Sequence, residues 1–208
     1  MSTETIQTPS WDDDSFITPE LVASIHKALD KGLTKGLGKP IEGEMCVEAL
    51  ICHKLELPHS DNPPCVGSEV RKAKIVLNDC EWSSNKARAE GMRKLAVAQL
   101  GSNQLDQVEF VNRLKLLSTK RLLPFLIQKH FDKTKNEKLL EYKLKFEQLE
   151  NLNDSLWEEF YNHSSDYCHY CYYYYYYYNY HGDKLLLLVA DVILQVLIDM
   201  KSPGVKWL

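Results

Sequence analysis

The stretch GEMCVEALICHKLELPHSDNPPCVGSEVRKAKIVLND, residues 43–79, contains the most specific residue pattern of the chain. Around its first part, from Glu42 to Leu55, apolar residues recur at helical spacing and predict an amphipathic helix. Three prolines between Leu57 and Cys65 then remove backbone donors and restrict the residue before each of them, so no helix continues through this loop. A second helix, capped at position 67 or 68, should end at Asn78-Asp79.

The preceding and following sequence continues the helical pattern. Thr18-Pro19-Glu20 supplies an N-cap, a proline at the first helical position and an acid beside the positive helix end, which predicts a helix from Pro19 to Lys31. Another helix is expected from Ser83 or Ser84 to Gly101, because glycine commonly ends a helix.

Two longer helices are expected further along the chain. The first begins at the capping sequence Asp106-Gln107-Val108-Glu109 and should break near residues 118–120 or kink at Pro124. The second begins at Asn136 and keeps a heptad spacing for about three repeats. Its seam consists of Leu139, Tyr142, Phe146, Leu149, Asn153, Leu156 and Phe160. A buried Asn153 in a coiled-coil seam would favour one register of pairing. The alternative to a coiled coil is an amphipathic helix that packs against the protein's own core.

The apolar run from Leu185 to Met200 carries Asp191 and Gln195 in its interior. A membrane span needs roughly 18 or more residues with few charges, so this run predicts a buried C-terminal helix.

Strand propensity is high only in the consecutive tyrosines Tyr172–Tyr178. Part of this tract should be exposed or contact a partner, because buried phenols need apolar cover and a hydrogen-bond partner.

These elements predict an all-α fold, an irregular multi-helix bundle with a long amphipathic helix and a Tyr-rich low-complexity segment. We expect residues 1–16 to be a disordered acidic tail and residues 17–132 to form a helical core domain around the Cys/His/Pro loop. Residues 133–208 should comprise the long helix, the Tyr-rich segment and an apolar C-terminal helix that packs on the core. A chain of 208 residues can bury one sufficient core without disulfides or metal.

Charge and composition argue against several classes of protein. With 25 basic and 29 acidic side chains the net charge is −4, which argues against a nucleic-acid-binding protein and against a polybasic membrane anchor. The N-terminal residues are polar and acidic and lack the apolar segment of a secretory signal, so we expect the protein in the cytoplasm. Its 6 cysteines should then be reduced thiols.

Cysteine, histidine and acidic residues are most concentrated in the first helix and the proline-rich loop of residues 43–79. Thiolate and imidazole groups suit zinc or iron. The candidate metal ligands are Cys46, His53, His59, Asp61 and Cys65. Cys46 and His53 should share a helix face, since seven residues are about 700° of helix. The spacing of these residues lacks the Cys-x-x-Cys knuckle of a typical zinc site. The alternative to metal binding is that the thiols pack in the core and the other side chains form hydrogen bonds within the loop.

A second group, Cys168-His169-Tyr170-Cys171 with His163 and His181 on either side, has one zinc-type spacing. It adjoins the tyrosine tract, and compositional drift in a low-complexity segment explains it more simply. No Gly-x-Ser-x-Gly elbow is present, and no serine or cysteine has neighbours that assign a base and an orienting acid. The sequence therefore indicates no catalytic nucleophile.

Three segments, Gly43–Ala49, Leu57–Val66 and Leu77–Asp79, carry a resemblance to known proteins. Over roughly residues 43–117 the chain resembles a group of uncharacterised bacterial and phage-encoded proteins, with a weaker likeness from Leu185 to Leu208. The resemblance implies a helical single domain whose later part holds an alanine-rich, tyrosine-dotted stretch, and it implies no reaction. In this chain, tyrosines occupy that stretch in place of the small residues of the group.

The sequence favours a non-enzymatic helical protein that acts through association with a protein partner or with itself. The heptad-like spacing and the aromatic tract support this interpretation. The alternative is a zinc- or iron-binding protein, or a metal-dependent enzyme, that uses the Cys46, His53, His59, Asp61 and Cys65 cluster.

Overall fold

A computed structural model of the chain describes residue 11 and residues 13–163 and 182–208. The expectations for the start of the acidic tail, for the tyrosine tract and for the Cys168–Cys171 group lie outside these residues. Within the described ranges the predicted all-α fold is confirmed. The described residues form eight α-helices and no strand, apart from one isolated antiparallel bridge between Gly38 and Met45.

The helices follow one another along the chain with the bounds α1 Pro19–Leu29, α2 Val47–Lys54, α3 Ser68–Asn78, α4 Asn85–Ala98, α5 Gln107–Thr134, α6 Lys138–Glu147, α7 Asp154–His163 and α8 Gly182–Asp199. Short 3-10 helices occupy Ser102–Gln104 and Pro203–Trp207. The side chains of Thr18, Ser84 and Asp106 cap α1, α4 and α5, as the sequence predicts. Each cap accepts backbone N–H groups that the first helical turn leaves without a partner.

The main hydrophobic core is built around α4 and α8. The α8 helix packs against α3, α4 and α5, and α4 also packs against α1 and α2. Leu50, Leu95 and Leu197 are fully buried contributions of α2, α4 and α8 to this core. The apolar C-terminal helix therefore packs among helices that end at or before Thr134. Neither α8 nor another described helix is long and apolar enough to cross a membrane.

A second, smaller core lies around the C-terminal half of α5. Its buried members are Leu123 and Ile127 of α5, Leu139, Tyr142 and Phe146 of α6, and Leu156 and Phe160 of α7. The Phe160 ring meets the rings of Tyr142 and Phe146 edge to face, with centroids 5.2 and 5.3 Å apart. Aromatic pairs prefer this geometry because the ring edge is positive and the ring face is negative.

The prediction of one long helix from Asn136 with a heptad seam is wrong. The chain turns after Glu147, and α6 and α7 are separate helices. Asn153 lies at the start of α7, where its side-chain oxygen accepts the N–H of Leu156 at 3.2 Å. The apolar spacing persists across the turn because both helices direct their apolar residues into the same small core. Of the two interpretations of this segment, packing against the protein's own core is the one observed.

The sequence left open a break near residues 118–120 or a kink at Pro124. The break is not observed, because α5 is one helix with Pro124 in its interior. An interior proline removes one backbone hydrogen bond and costs roughly 3 kcal/mol. Burial on both sides of the proline offsets this cost. Before the proline, Leu122 is buried in the main core and Leu123 in the smaller core, and after it Ile127 is buried in the smaller core. Tertiary packing therefore holds the helix together through Pro124.

The α2 helix begins at Val47 rather than at the predicted Glu42. Glu42 lies in the preceding turn, where its carboxylate pairs with Lys31 at 2.6 Å and also with Lys54. The hydrogen bonds from these two lysines lower the pKa of Glu42 to about 2. The carboxylate therefore remains ionised and ties the residues after α1 to the last turn of α2.

The turn after α8 closes the main core through close backbone contacts. Ser202 Oγ donates to the Ala98 carbonyl at 2.6 Å, and the Gly204 N–H donates to the Leu100 carbonyl at 2.9 Å. A Cβ atom on Gly204 would lie 2.0 Å from the Val97 carbonyl oxygen. Only glycine allows the C-terminal 3-10 helix to approach α4 this closely.

We expect Gly204→Ala to lower the free energy of unfolding by about 1–3 kcal/mol, because the added methyl group forces the two backbones apart. Urea denaturation followed by circular dichroism measures this change. Lys206→Ala is the matched control in the same segment, since it removes only an exposed ion pair with Asp14 and should change stability by less than about 0.5 kcal/mol. Equal stability of the Gly204 variant and the native protein would contradict the proposed close approach.

Candidate functional site

The structure places the five predicted metal ligands in different surroundings. Cys46 is the N-cap residue of α2, and its buried Sγ accepts the N–H of Ala49 at 3.4 Å. His53 lies in the last turn of α2 and is exposed. The prediction that Cys46 and His53 share a helix face is therefore wrong, because Cys46 precedes the helix and is buried.

The other three candidates belong to the proline-rich loop. His59 Nε2 lies 3.1 Å from the Gly38 carbonyl oxygen, Asp61 Oδ1 lies 3.9 Å from a guanidinium nitrogen of Arg71, and Cys65 is fully buried. Within the described ranges no three His, Cys, Asp or Glu side chains are placed to hold a metal ion. The metal hypothesis stays a prediction, and the loop contacts agree with its alternative of packing and hydrogen bonding.

The described thiols are buried and protonated. Burial raises the pKa of Cys46, raises the pKa of Cys52 to about 11 and raises the pKa of Cys65 to about 12. Cys80 is affected in the same way, with a pKa of about 11. The thiolate is the nucleophilic form of cysteine, so these side chains behave as small apolar core residues near neutral pH.

A buried ion pair that the sequence analysis missed lies between α2 and α3. Lys74 Nζ donates to Glu48 Oε1 at 3.0 Å, and both side chains are 0% exposed. Lys74 occupies the middle of the row Val70, Lys74 and Leu77, whose members are all buried. A lysine between two apolar residues of one helical row is the signal that could have revealed it, because a buried lysine requires a partner.

Burial shifts both members of this pair toward their neutral forms. It raises the pKa of Glu48, and the charge of Lys74 opposes the rise. It lowers the pKa of Lys74, and the charge of Glu48 opposes the fall. The fully buried amide of Gln99, the C-cap residue of α4, also favours the charged form of Glu48, although neither of its polar atoms makes a hydrogen bond. Polar side chains of three helices thus meet inside the main core.

A small cavity of about 20 Å³, lined by both polar and apolar residues, lies beside Glu48. Cys46 and Asp61 line it together with Glu48, so these two predicted residues are brought to one place. A cavity of this size has room for about one water molecule. It is therefore too small for a substrate in the conformation that the structure shows.

A larger apolar cavity of about 130 Å³ opens between α3, α5 and α8, and we call it the α3/α5/α8 groove. It is lined by Ala73, Val76 and Leu77 of α3, Leu114, Ser118 and Leu122 of α5, and Val189, Val192 and Ile193 of α8. Ser118 is the one lining residue with a polar side chain. Val76 is 53% exposed, although the residues around it in the groove are buried or half-buried. Sequence analysis did not find this groove, because its residues come from three distant segments.

Comparisons of this chain with protein-family models, with curated proteins and with solved structures found no match. The resemblance over residues 43–117 therefore gains no support from them.

We expect Lys74→Met to lower the free energy of unfolding by about 3–5 kcal/mol, because it leaves the Glu48 carboxylate buried without its partner. The double variant Glu48→Met/Lys74→Met removes both charges and should restore stability to near the native value or above it. Urea denaturation of the two variants measures the difference. Lys72→Met, at an exposed position of α3, is the control for loss of a lysine from that helix. A double variant as unstable as the single one would show that the pair stabilises the native core.

We expect the four described cysteines to react slowly with a thiol reagent. In a Cys168→Ser/Cys171→Ser variant, labelling by 5,5′-dithiobis(2-nitrobenzoic acid) at neutral pH should be at least about tenfold slower in the native protein than in urea, since reaction requires local opening. Absorbance of the released thiolate measures both rates. Rapid labelling of Cys46 in the native protein, located by mass spectrometry, would instead indicate that its thiol is accessible from the small cavity beside Glu48.

Proposed function

We propose that this protein is a non-enzymatic binding protein, and that its α3/α5/α8 groove receives a large apolar side chain from a helix of another protein. The observation that carries the proposal is the groove itself, an apolar cavity of about 130 Å³ that is open to solvent. Its lining is apolar except for Ser118, and Val76 is the strongly exposed residue of that lining.

The size and lining of the groove support an apolar anchor. An apolar cavity of about 150 Å³ can hold a benzene molecule, and the groove, at about 130 Å³, is slightly smaller. Its size therefore favours an aliphatic side chain such as that of leucine or isoleucine. Apart from Ser118, its walls are aliphatic on all three helices. A single anchor residue in such a pocket commonly contributes much of the binding free energy of an interface.

The surroundings of the groove favour a helix as the bound element. Three helices form its walls, and a fourth helix can place residues at spacings of three and four into the space between them. A second copy of this chain is a poorer fit than another protein. If a twofold axis passed through the groove, the exposed Lys72 and Lys115 would approach the same lysines of the other copy.

The buried, protonated state of Cys46, Cys52, Cys65 and Cys80 supports a binding role rather than thiol catalysis. The polar groups inside the core are equally consistent with this role, because the Glu48 and Lys74 side chains face each other and are fully buried. The chemistry of the described residues thus supports recognition by shape and apolar contact.

The test uses a synthetic peptide of about 18 residues, long enough to populate a helix, with leucine at every third or fourth position and glutamine and alanine elsewhere. We expect the native protein to bind this neutral peptide in a fluorescence polarisation assay. Val76→Asp should weaken binding by at least about tenfold, because it places a charge in the groove. Val76 is already 53% exposed, so the variant should remain folded.

Leu144→Asp is the matched control, since Leu144 is 54% exposed on α6 and does not line the groove. It should leave the affinity for the peptide unchanged. Absence of binding to the native protein, or an equal loss in the two variants, would overturn the proposed function. Circular dichroism of both variants confirms that a loss of affinity does not reflect unfolding.

A further inference from the structure

We infer that Glu48 and Lys74 are positioning residues for the α3/α5/α8 groove, because their ion pair fixes the rotation of α3 and thereby the place of Val76. Neither member of the pair lines the groove, so they act on a bound helix without touching it. This inference rests on the proposed function and names the residues that control it from inside the core. It comes from the way in which α3 is attached to α2.

The attachment of α3 to the core is partly polar. Its buried residues are Val70, Lys74, Leu77 and Asn78, and two of these four have polar side chains. Lys74 and Asn78 are four residues apart, so they lie on one face of the helix. Apolar burial has no preferred direction, whereas a hydrogen bond does. The two polar side chains therefore have the larger influence on how α3 is rotated about its axis.

Both polar side chains contact the first turn of α2. Lys74 Nζ donates to Glu48 Oε1 at 3.0 Å, and Asn78 Oδ1 accepts the Val47 N–H at 3.3 Å. Asn78 Nδ2 also donates to the Thr34 carbonyl at 3.0 Å. The two residues are about one turn, or roughly 5–6 Å, apart along α3. Directional contacts at two points on one face resist rotation of the helix.

The groove depends on the same rotation. Ala73, Val76 and Leu77 line it, and Lys74 lies between these residues in the chain. A helix with its side chains is about 10–12 Å across, so a rotation of about 20° moves a surface side chain by roughly 2 Å. A shift of that size changes the shape of a cavity of about 130 Å³. Val76 has little packing of its own to oppose the shift, since it is 53% exposed.

The cost of burying two charges supports a positioning role. Both members of the pair are 0% exposed, so both have lost their contact with water. Replacing a buried ion pair by apolar residues of similar volume is often neutral or stabilising. Stability alone therefore does not account for the pair. Fixing one arrangement of neighbouring elements is the best-attested use of a buried polar group.

The test measures binding and stability separately in the Glu48→Met/Lys74→Met variant. We expect this variant to keep near-native stability in urea. Its affinity for the neutral leucine-containing peptide should fall by at least about tenfold, because the groove is no longer organised before binding. Fluorescence polarisation measures the affinity. The Val76 methyl signals in NMR spectra should shift or split, since α3 no longer holds one orientation.

Glu42→Met/Lys54→Met is the matched control, because it removes an ion pair of α2 that does not involve α3. It should keep the native affinity and the native Val76 signals. Asn78→Ala is a second variant that removes the other polar contact between α3 and α2. It should weaken peptide binding by about threefold, in keeping with the loss of one hydrogen bond.

Native affinity and unchanged Val76 signals in a folded Glu48→Met/Lys74→Met variant would overturn the positioning role and leave the proposed function in place. An equal loss of affinity in the control variant would also contradict it. If the double variant does not fold, native behaviour of Asn78→Ala has the same consequence. Failure of the native protein to bind the peptide would overturn the proposed function, and the Val76 signals alone would then decide whether the pair fixes α3.

Discussion

The ion pair between Glu48 and Lys74 constrains the orientation of α3, on which the proposed interface depends. A fully buried lysine has few alternatives to its carboxylate partner, because an unpaired charge in the core is far more costly than a lost apolar contact. The pair therefore sets the rotation of α3 about its axis relative to α2. Positions two residues from Lys74 project from nearly the opposite side of the helix. Val76 and Lys72 are presented to solvent because Lys74 is held in the core.

This arrangement gives residues 43–79 a different role from the one their composition suggests. Cys46 caps α2, His59 contacts the turn after α1, and the loop ends where the Gly67 N–H donates to Ser102 Oγ at 3.0 Å. These contacts position the two helices that carry Glu48 and Lys74. The polar and sulfur-containing residues of the stretch thus satisfy backbone groups and fill space around a buried charge pair.

Local signals in the sequence predicted the helices well, and contacts between distant segments account for the errors. The caps at Thr18, Ser84 and Asp106 depend on neighbouring backbone groups, so short-range reasoning identified them. The continuity of α5 through Pro124 depends on burial in two cores, which no local pattern contains. Lys74 was passed over because lysine usually lies at the surface, and the groove was missed because three separate helices form it. The metal-ligand cluster remains a prediction from composition, since the structure brings only Cys46 and Asp61 of its five residues to one cavity.

The path of α5 through both cores has a consequence for the energy landscape of the protein. Leu122 belongs to one core and Leu123 to the other, so the crossing point lies at the proline where the backbone ladder lacks a bond. Segments with separate cores commonly open as separate cooperative units. The aromatic unit formed by α6, α7 and the end of α5 can then exchange its amide hydrogens with solvent by sub-global opening, while the first half of α5 stays docked. We therefore expect the boundary between two cooperative unfolding units to lie at the proline, within a single continuous helix.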